Sequence, residues 1–436
     1  MRRLTSASVL GGKPVKRDDL SILVIGQGGR EHALVWKLKA SPRVSKVYAA
    51  PGNPGMQRLA ECVSIPVSDV RELARFAVEN HVDLAVVGPE APLALGVSDE
   101  FMRVGIPVFG PTKAAASIET SKVWAKQFMS RHRIPTAGYS IFRDVDAAKR
   151  YVRAHGGPVV VKADGLAAGK GVVVAHTQDE AEQAVDTISH LAEGGEIIVE
   201  DCLTGREVSF LVITDGISAL PLISAKDHKR ARDGDKGPNT GGMGAIVPAP
   251  LFDVSLQSEI LEEIIMPAIR GLSAEGRRYV GVLYAGLMLT SEGPMALEFN
   301  ARFGDPETQA ILPMMESDLV DALEAAVEGT CSSMTLNWRD GACVCVVAAA
   351  KGYPENPQLG KETFIDAEQA EKDDVFIFHA GTRLDGERLV TSGGRVLNVV
   401  STGGSVEEAA SRAYKGLSHV RFEGMWARHD IGLPGA

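Results

Sequence analysis

The sequence contains few cysteines, no long apolar run and no excess of positive charge. Its five cysteines are spread over 436 residues without a Cys-x-x-Cys pair, which excludes a disulfide framework and indicates a reducing compartment. The longest apolar run, Ala342 to Ala350, is much shorter than the roughly 20 residues that span a bilayer. With 46 basic against 56 acidic residues, the chain is a poor general binder of nucleic acid. We therefore expect a soluble, cytoplasmic protein that engages neither membranes nor DNA or RNA.

Length and composition indicate several packed domains behind a short tail. A chain of 436 residues that is 45% hydrophobic is too long for one core and too apolar for disorder. Residues 1–19 are basic and lack a secretory apolar region, so we predict a disordered extension, with a transit peptide as the alternative. Changes in pattern then predict domains at 20–120, 121–330 and 331–436, and residues 138–203 form a compact unit that could move as a lid.

The alternation of short apolar strands and helices predicts the fold class. In residues 20–120, buried strands end in Gly and Pro turns and alternate with amphipathic helices, which is typical of a doubly wound parallel sheet. The later segments mix strands and helices less regularly. We therefore predict a multidomain α/β and α+β protein, in which ligands of the first sheet lie beyond the carboxyl ends of its strands.

A glycine-rich turn follows the first strand and is predicted to bind an anion. Its amides and the following helix N-terminus could hold a phosphate. The second strand ends without the carboxylate that a dinucleotide site requires, so we favour a phosphate-bearing small substrate; glycines that only make tight turns are the alternative. The candidate substrate residues at these strand ends are Gly28, Gly29, Arg30, His32, Asn53 and Glu90.

A second glycine-rich loop, residues 164–171, follows a strand that ends in Lys162. A fixed lysine and a flexible loop suit the phosphates of a nucleotide, although a strand follows and the order is not that of a Walker loop. The candidates are Lys162, Gly165, Gly169 and Lys170, and a solvated hairpin is the alternative.

Acidic residues at the end of a later apolar strand are candidates for the nucleoside. The segment Glu200 to Leu203 could offer backbone groups to an adenine edge, while Glu207 takes the ribose hydroxyls. A simple capped strand explains the same pattern equally well. Its position downstream of the glycine loop favours the nucleotide interpretation.

Glu298 and Asn300 are predicted to share one face of a strand, because strand side chains alternate. A carboxylate and an amide oxygen suit Mg²⁺, which completes its shell with water and phosphates. Arg302 continues the same alternation, so a structural ion pair between it and the acid is the alternative.

Residues 227–244 form a long segment dense in charge and glycine. Without hydrophobic anchors, such a segment is either disordered or organised around a ligand, and we favour the ligand. The candidate binding residues are Asp227, Lys229, Asn239, Thr240 and Gly241.

Taken together, these motifs resemble the phosphoribosylamine–glycine ligases, also called glycinamide ribonucleotide synthetases, of the ATP-grasp superfamily. The resemblance runs from about Ser21 to Gly432 and is carried by six segments: residues 28–33, 88–93, 162–171, 227–230, 237–245 and 298–307. It implies a pre-ATP-grasp domain, a two-lobed ATP-grasp core and a smaller C-terminal α+β domain.

The resemblance also implies roles for individual residues. Lys122 and Lys162 would meet the phosphates of ATP, with Glu200 to Leu203 at the adenine and Glu207 at the ribose. Glu298 and Asn300 would hold Mg²⁺ or Mn²⁺. The turn at Gly28 and Gly29, with Arg30, Asn53 and Glu90, would face 5-phosphoribosylamine, while glycine and the transferring phosphoryl would lie among the following residues: Asp227, Lys229, Arg302 and Asp305.

The implied activity is the ATP-dependent ligation of glycine to 5-phosphoribosylamine through glycyl phosphate, a step of purine biosynthesis. The expected partners are these small molecules alone, and the expected state is a monomer or weak dimer. Another ATP-grasp carboxylate–amine ligase, or a biotin-carboxylase-like enzyme, is the alternative.

Overall fold

The computed structural model describes residues 18–166, 171–192, 195–250 and 252–433. The predicted tail, residues 1–19, lies almost entirely outside this part of the chain. Within the described ranges, no helix combines the length and the apolar character needed to cross a membrane.

The first unit is a parallel sheet with helices on both faces. Its strands run in the order β3-β2-β1-β4-β5. Ile22 and Val24 pack in one core together with α1, whereas Leu23 and Ile25 pack in another with α2. The alternation of side chains along one buried strand thus produces the predicted doubly wound arrangement. The elements are β1 (Leu20–Gly26), α1 (Gly29–Lys39), β2 (Val44–Pro51), β3 (Glu61–Cys62), α2 (Val70–Glu79), β4 (Leu84–Val87), α3 (Glu90–Leu95), α4 (Val97–Val104), β5 (Val108–Phe109) and α5 (Lys113–Thr120).

A small lobe with its own core follows α6 (Lys122–Arg131). It is an antiparallel sheet of order β6-β9-β7-β8 on which two helices pack. Val152, Val161 and Val185 are buried in its core. Its elements are β6 (Tyr139–Phe142), α7 (Val145–His155), β7 (Val159–Ala163), β8 (Val172–Ala175), α8 (Gln178–Leu191) and β9 (Ile197–Asp201).

The second lobe is built on a longer antiparallel sheet of order β11-β10-β16-β17. A single-turn π-helical segment, Leu261–Ile265, joins two of its helices. The elements are β10 (Arg206–Thr214), β11 (Ala219–Pro221), β12 (Lys226–Asp227), β13 (Arg230–Arg232), β14 (Lys236–Asn239), β15 (Gly244–Val247), α9 (Val254–Ile260), α10 (Met266–Ala274), β16 (Gly281–Thr290), β17 (Gly293–Asn300), α11 (Glu307–Met314) and α12 (Leu319–Glu328).

The C-terminal strands extend a sheet that begins in the central region. Its order is β12-β15-β18-β23-β20, so β15 pairs directly with β18 of the C-terminal region. Cys343 and Cys345 face a core shared with α1 and α11, whereas Val344 and Val346 face α14. The remaining elements are β18 (Ala342–Ala349), β19 (Thr363–Ile365), α13 (Ala367–Lys372), β20 (Val375–His379), β21 (Thr382–Asp385), β22 (Arg388–Thr391), β23 (Arg395–Gly403), α14 (Val406–Gly416) and β24 (Val420–Phe422).

Candidate functional site

One large cavity, with a volume of about 1310 Å³, lies where the two lobes, the first unit and the C-terminal strands meet. Most of the residues predicted from the sequence line its wall. They are Arg30, Glu90, Lys122, Lys162, Glu200, Leu203, Glu207, Asp227, Lys229, Asn239, Thr240, Gly241, Glu298, Asn300, Arg302 and Asp305. Gly169 and Lys170 lie outside the described residues.

Strands β7 and β9 bring a carboxylate between two lysines. Glu200 is buried, and its carboxylate lies 2.8 Å from the Nζ of Lys162 and 2.8 Å from the Nζ of Lys126. Lys126 also donates to the hydroxyl of Thr136 at 2.7 Å, and burial lowers its pKa to about 8. Each oxygen of the Glu200 carboxylate therefore lies within ion-pair distance of a lysine ammonium group.

Lys122 anchors the start of the glycine loop. Its Nζ donates to the carbonyl of Gly165 at 2.6 Å, while the backbone N–H of Val123 donates to the carboxylate of Asp164 at 3.1 Å. Burial lowers the pKa of Lys122. Gly165 has a φ of +86°, a conformation that favours glycine, and it does not itself line the cavity.

Glu298 and Asn300 lie on the same face of β17, and Phe299 packs into the core behind them. Burial alone would raise the pKa of Glu298, but Lys229, Lys162 and Lys122 outweigh it and hold the pKa below its ordinary value. The acid is therefore ionised and faces cations. No group of three or more His, Cys, Asp or Glu side chains is arranged for a metal ion in the described part of the chain.

Arg302 forms ion pairs with Glu119 and Glu90, and not with Glu298 as the alternative interpretation of the sequence required. Its guanidinium lies 3.1 Å from Glu119 and 3.4 Å from Glu90, and it donates to the Oδ1 of Asn300 at 3.0 Å. Glu119 also accepts the backbone N–H of Ala301 at 2.6 Å. These contacts fix Arg302 against the end of β17 and direct it into the cavity.

The segment 227–244 is ordered by strand pairing, which the sequence did not predict. Asp227 lies on β12, and β13 and β14 form a hairpin beyond it. The Oδ1 of Asp227 is buried without a hydrogen-bond partner, and burial together with Glu307 raises the pKa of Asp227 well above its ordinary value. Lys229 lies 3.2 Å from Glu207, so the predicted ribose acid and this lysine form an ion pair.

The first glycine turn, for which the sequence predicts an anion site, makes contacts within the protein. The N–H of Gly28 donates to the carboxylate of Glu31 on the following helix at 2.6 Å. A Cβ on Gly29 would lie 2.2 Å from the Nδ2 of Asn398. Close packing against the C-terminal strands therefore accounts for the glycine at position 29.

His32 and Asn53 lie outside the cavity, at the junction where the first unit meets β20. The Nδ1 of His32 accepts the N–H of His379 at 2.9 Å. Asn53 donates to the carbonyls of Gln27 at 2.8 Å and His379 at 2.9 Å. Both side chains join the first unit to β20, while Arg30 and Glu90 alone of this predicted set line the cavity.

Sequence reasoning missed Arg395, which reaches the cavity from β23. Its guanidinium lies 3.0 Å from the carboxylate of Asp305 and donates to the carbonyls of Asp305 and Gly241. It thereby connects the glycine segment to the turn after β17. The only local signal was an arginine directly after Gly393 and Gly394 at the start of a strand.

The fold and the cavity define the class of this protein. Two α+β lobes enclose a lysine-rich and acid-rich site between a parallel sheet and C-terminal strands, which is the ATP-grasp architecture. Family models for phosphoribosylglycinamide synthetase match the chain as its N domain over residues 20–119, its ATP-grasp (A) domain over 120–308 and its C domain over 343–434. The chain therefore belongs to the phosphoribosylglycinamide synthetase family, and the predicted resemblance and fold class are confirmed.

Individual relatives agree with this assignment. A phosphoribosylamine–glycine ligase of Mesorhizobium japonicum is 48% identical over 416 residues, covering 95% of this chain and 98% of that protein. One of Brucella melitensis is 49% identical over 417 residues, covering 95% and 97%.

Solved structures agree as well. The crystal structure of phosphoribosylamine–glycine ligase from Thermotoga maritima has a TM-score of 0.83 at 33% identity and covers 94% of this chain and 100% of that one. A biotin carboxylase from Campylobacter jejuni has a TM-score of 0.71 at 17% identity, covering 95% and 94%, and shares the fold alone.

Proposed function

We propose that this chain is an ATP-dependent ligase that joins the carboxyl group of glycine to the amino group of 5-phosphoribosylamine. The products are glycinamide ribonucleotide, ADP and phosphate, which places the protein in purine biosynthesis. The observation that carries the proposal is the match to ligases of that name at 48–49% identity across 95% of the chain.

A carboxylate does not react directly with an amine, so the glycine carboxylate must first be activated. An oxygen of the glycine carboxylate takes the γ-phosphoryl group as its bond to the β-phosphate oxygen breaks, which gives glycyl phosphate and ADP. The amine of phosphoribosylamine then attacks the carbonyl carbon and expels phosphate. Because negative charge is redistributed in both steps, the protein contributes mainly positioning and electrostatic stabilisation.

In this proposal the nucleotide lies between the two lobes. Lys122 and Lys162 neutralise phosphate oxygens, and the backbone of residues 200–203 meets the adenine because the Glu200 side chain is already paired with two lysines. Glu207 takes the ribose hydroxyls, for which its contact with Lys229 must loosen.

Glu298 and Asn300 would hold Mg²⁺ or Mn²⁺. The site fits such an ion because the pKa of Glu298 is held low and both side chains offer oxygen at the cavity wall. The Oδ1 of Asn300 accepts a hydrogen bond from Arg302 at 3.0 Å, and this bond would have to give way to the ion. A set of only two protein ligands suits an ion whose shell is completed by phosphates and water. When bound, the ion would neutralise charge on the phosphates of ATP.

The remaining residues would handle glycine and phosphoribosylamine. The carboxyl groups of Asp227 and Asp305 can accept hydrogen bonds from the ammonium group of glycine, whose positive charge would oppose the effects that raise the pKa of Asp227. Lys229 and Arg302 can face the glycine carboxylate and the transferring phosphoryl group. Arg30 and Glu90, at the same cavity wall, would meet phosphoribosylamine. Arg302 is suited to its role because Glu90 and Glu119 fix its guanidinium before substrate arrives.

The small lobe, residues 138–203, would close over ATP and exclude water, since an acyl phosphate hydrolyses. Hydrogen exchange with and without ATP tests this closure. We expect slower exchange in β7 and β8 when ATP is present, and equal exchange would contradict it.

The direct test uses purified protein with ATP, Mg²⁺, glycine and freshly made phosphoribosylamine, with ADP measured after omission of each component. We expect sustained ADP formation only in the complete mixture. ADP formation that depends on bicarbonate in place of glycine would refute the proposal and favour a biotin-carboxylase-like activity.

A further inference from the structure

A buried arginine near the C-terminus contacts the hairpin that carries part of the cavity wall. Arg428 is 1% exposed, and its guanidinium lies 2.6 Å from Asp430 and 2.7 Å from Asp235. It also donates to the carbonyl of Arg230 at 3.0 Å. Asp430 in turn accepts the N–H of Gly234 at 2.8 Å. We call Arg428 and Asp430 the C-terminal clamp, and residues 230–239, which form β13 and β14, the hairpin.

The hairpin has little else to fix it. Strands β13 and β14 pair only with each other among the described strands, and an isolated two-stranded hairpin is marginally stable in water. Most of its residues are exposed. The turn 233–235 is therefore fixed largely by the clamp and by His429, whose backbone N–H and ring Nδ1 lie 2.8 Å and 3.2 Å from the carboxylate of Asp233.

The residues next to the hairpin are the ones that face the substrates. Lys229 precedes it, and its carbonyl accepts both the N–H of Thr240 at 2.8 Å and the hydroxyl of Thr240 at 2.9 Å. Asn239, Thr240 and Gly241 line the cavity. A shift of the hairpin therefore shifts these groups together.

We propose that Arg428 is a positioning residue for the ligation: by bridging Asp430 to Asp235 and to the Arg230 carbonyl, it sets the hairpin so that Lys229 and Thr240 meet glycine. This inference rests on the proposed function. We expect its effect on glycine to exceed its effect on ATP, because the nucleotide groups Lys162 and Glu200 lie on the small lobe and have no contact with the clamp among the described interactions. On the nucleotide side, Lys229 does contact Glu207, at 3.2 Å, so a smaller effect on ATP is expected as well.

The experiment compares Arg428→Met and Arg428→Lys with the wild type by steady-state kinetics. We expect Arg428→Met to reduce kcat/KM for glycine roughly tenfold or more, with KM for ATP within about twofold. Arg428→Lys should be intermediate, because an ammonium group keeps the charge but cannot form the planar fork. Equal losses for glycine and ATP would overturn the proposal.

Limited trypsin digestion, mapped by mass spectrometry, measures the hairpin without relying on turnover. Cleavage after Arg232 and Lys236 should be roughly tenfold faster in Arg428→Met, because cleavage requires local opening of the hairpin. Unchanged cleavage would overturn the proposal. If Arg428→Met fails to fold, Asp235→Asn, which alters an exposed side chain, is expected to give the same faster cleavage, and its absence would be equally decisive.

Arg43→Met is the matched control. Arg43 is also a buried arginine, with carboxylates of Asp321 and Glu324 each at 2.7 Å, but these partners lie on α12 and not on the hairpin. It should lower the Tm without changing KM for glycine or cleavage after Arg232. A change in either would show that losing any buried arginine suffices and would overturn the proposal. If the wild type consumes no glycine, the proposed function fails. The trypsin comparison still tests, independently of turnover, whether Arg428 holds the hairpin in place.

Discussion

The charge of His32 distinguishes the anion-binding role predicted from the sequence from the junction role seen in the structure. A histidine beside a bound phosphate would gain a proton more readily. In the structure, burial first and His379 second lower the pKa of His32 to about 3. The reason is geometric as well, since its Nδ1 accepts the N–H of His379 and loses that bond when protonated. The folded protein therefore requires neutral His32.

The size of this effect follows from proton linkage. A histidine with a folded pKa near 3 and an ordinary value of 6.5 contributes stability that is present above pH 6.5 and lost as the pH falls towards 3. Between pH 7.5 and pH 5, the unfolded chain gains the proton and the folded chain does not, which costs about 2 kcal/mol. The His32→Gln variant lacks this titration. The difference in unfolding free energy between wild type and variant should therefore change by about 2 kcal/mol over that range.

Urea unfolding at pH 7.5 and pH 5, followed by tryptophan fluorescence, measures this difference. Trp36 reports the junction, because its ring lies 5.9 Å from that of Phe378, which also contacts His32. His190→Gln, in an exposed part of α8, is the control and should keep a constant difference from wild type. A difference for His32→Gln that stays constant within about 0.5 kcal/mol would refute the junction role.

Three further predictions concern the cavity. Glu298→Gln removes the negative charge that three lysines face, so the rate of ADP formation should fall by roughly two to four orders of magnitude. The Tm should change by less than about 3 °C. Retained turnover would contradict the metal assignment. Glu119→Gln removes one of the acids that hold Arg302 and should lower kcat roughly tenfold with KM for ATP unchanged; a change confined to KM for ATP would contradict this. Cys202 lines the cavity and Cys331 is buried, so of these two cysteines maleimide should label only Cys202 in the native protein. ATP should slow this labelling, as measured by mass spectrometry, and equal labelling with and without ATP would contradict the proposed position of the nucleotide.

Features fixed by local geometry could be predicted from the sequence. Glu298 and Asn300 share a face because strand side chains alternate, and no knowledge of the rest of the fold was needed. Lys162 was recognisable because a charge ended an otherwise apolar strand. The parallel first sheet followed from the same reasoning, since buried strands separated by helices have few other solutions.

Features that depend on distant partners could not be predicted. His32 meets His379, which lies 347 residues away, and Arg395 reaches Asp305 across 90 residues. The helix that begins at Gly29 packs against C-terminal strands, and this contact could not be predicted from the first unit alone.

The two strands of the hairpin could not be recognised in the sequence, for another reason. Apart from Ala231, few residues of β13 and β14 are buried, so these short strands give little of the alternation of apolar and polar residues that reveals a strand. Its glycines and charges led to the prediction of a ligand-facing segment, which stays a prediction, and its order comes from partners such as Arg428 that lie almost 200 residues later.

The pairing of the cavity cations explains how an acidic protein can bind anionic substrates in this family's architecture. Lys162, Lys229, Arg302 and Arg395 each lie within 3.2 Å of a carboxylate of the chain. Unpaired, these buried charges would be costly to fold; paired, they are held in fixed orientations before any ligand arrives. The carboxylates weaken the electrostatic attraction between these cations and a phosphate group, so this attraction alone cannot select a ligand. Affinity then depends on whether a ligand places its charges where the cations already point, and that same fixed geometry is what transfer of a phosphoryl group requires.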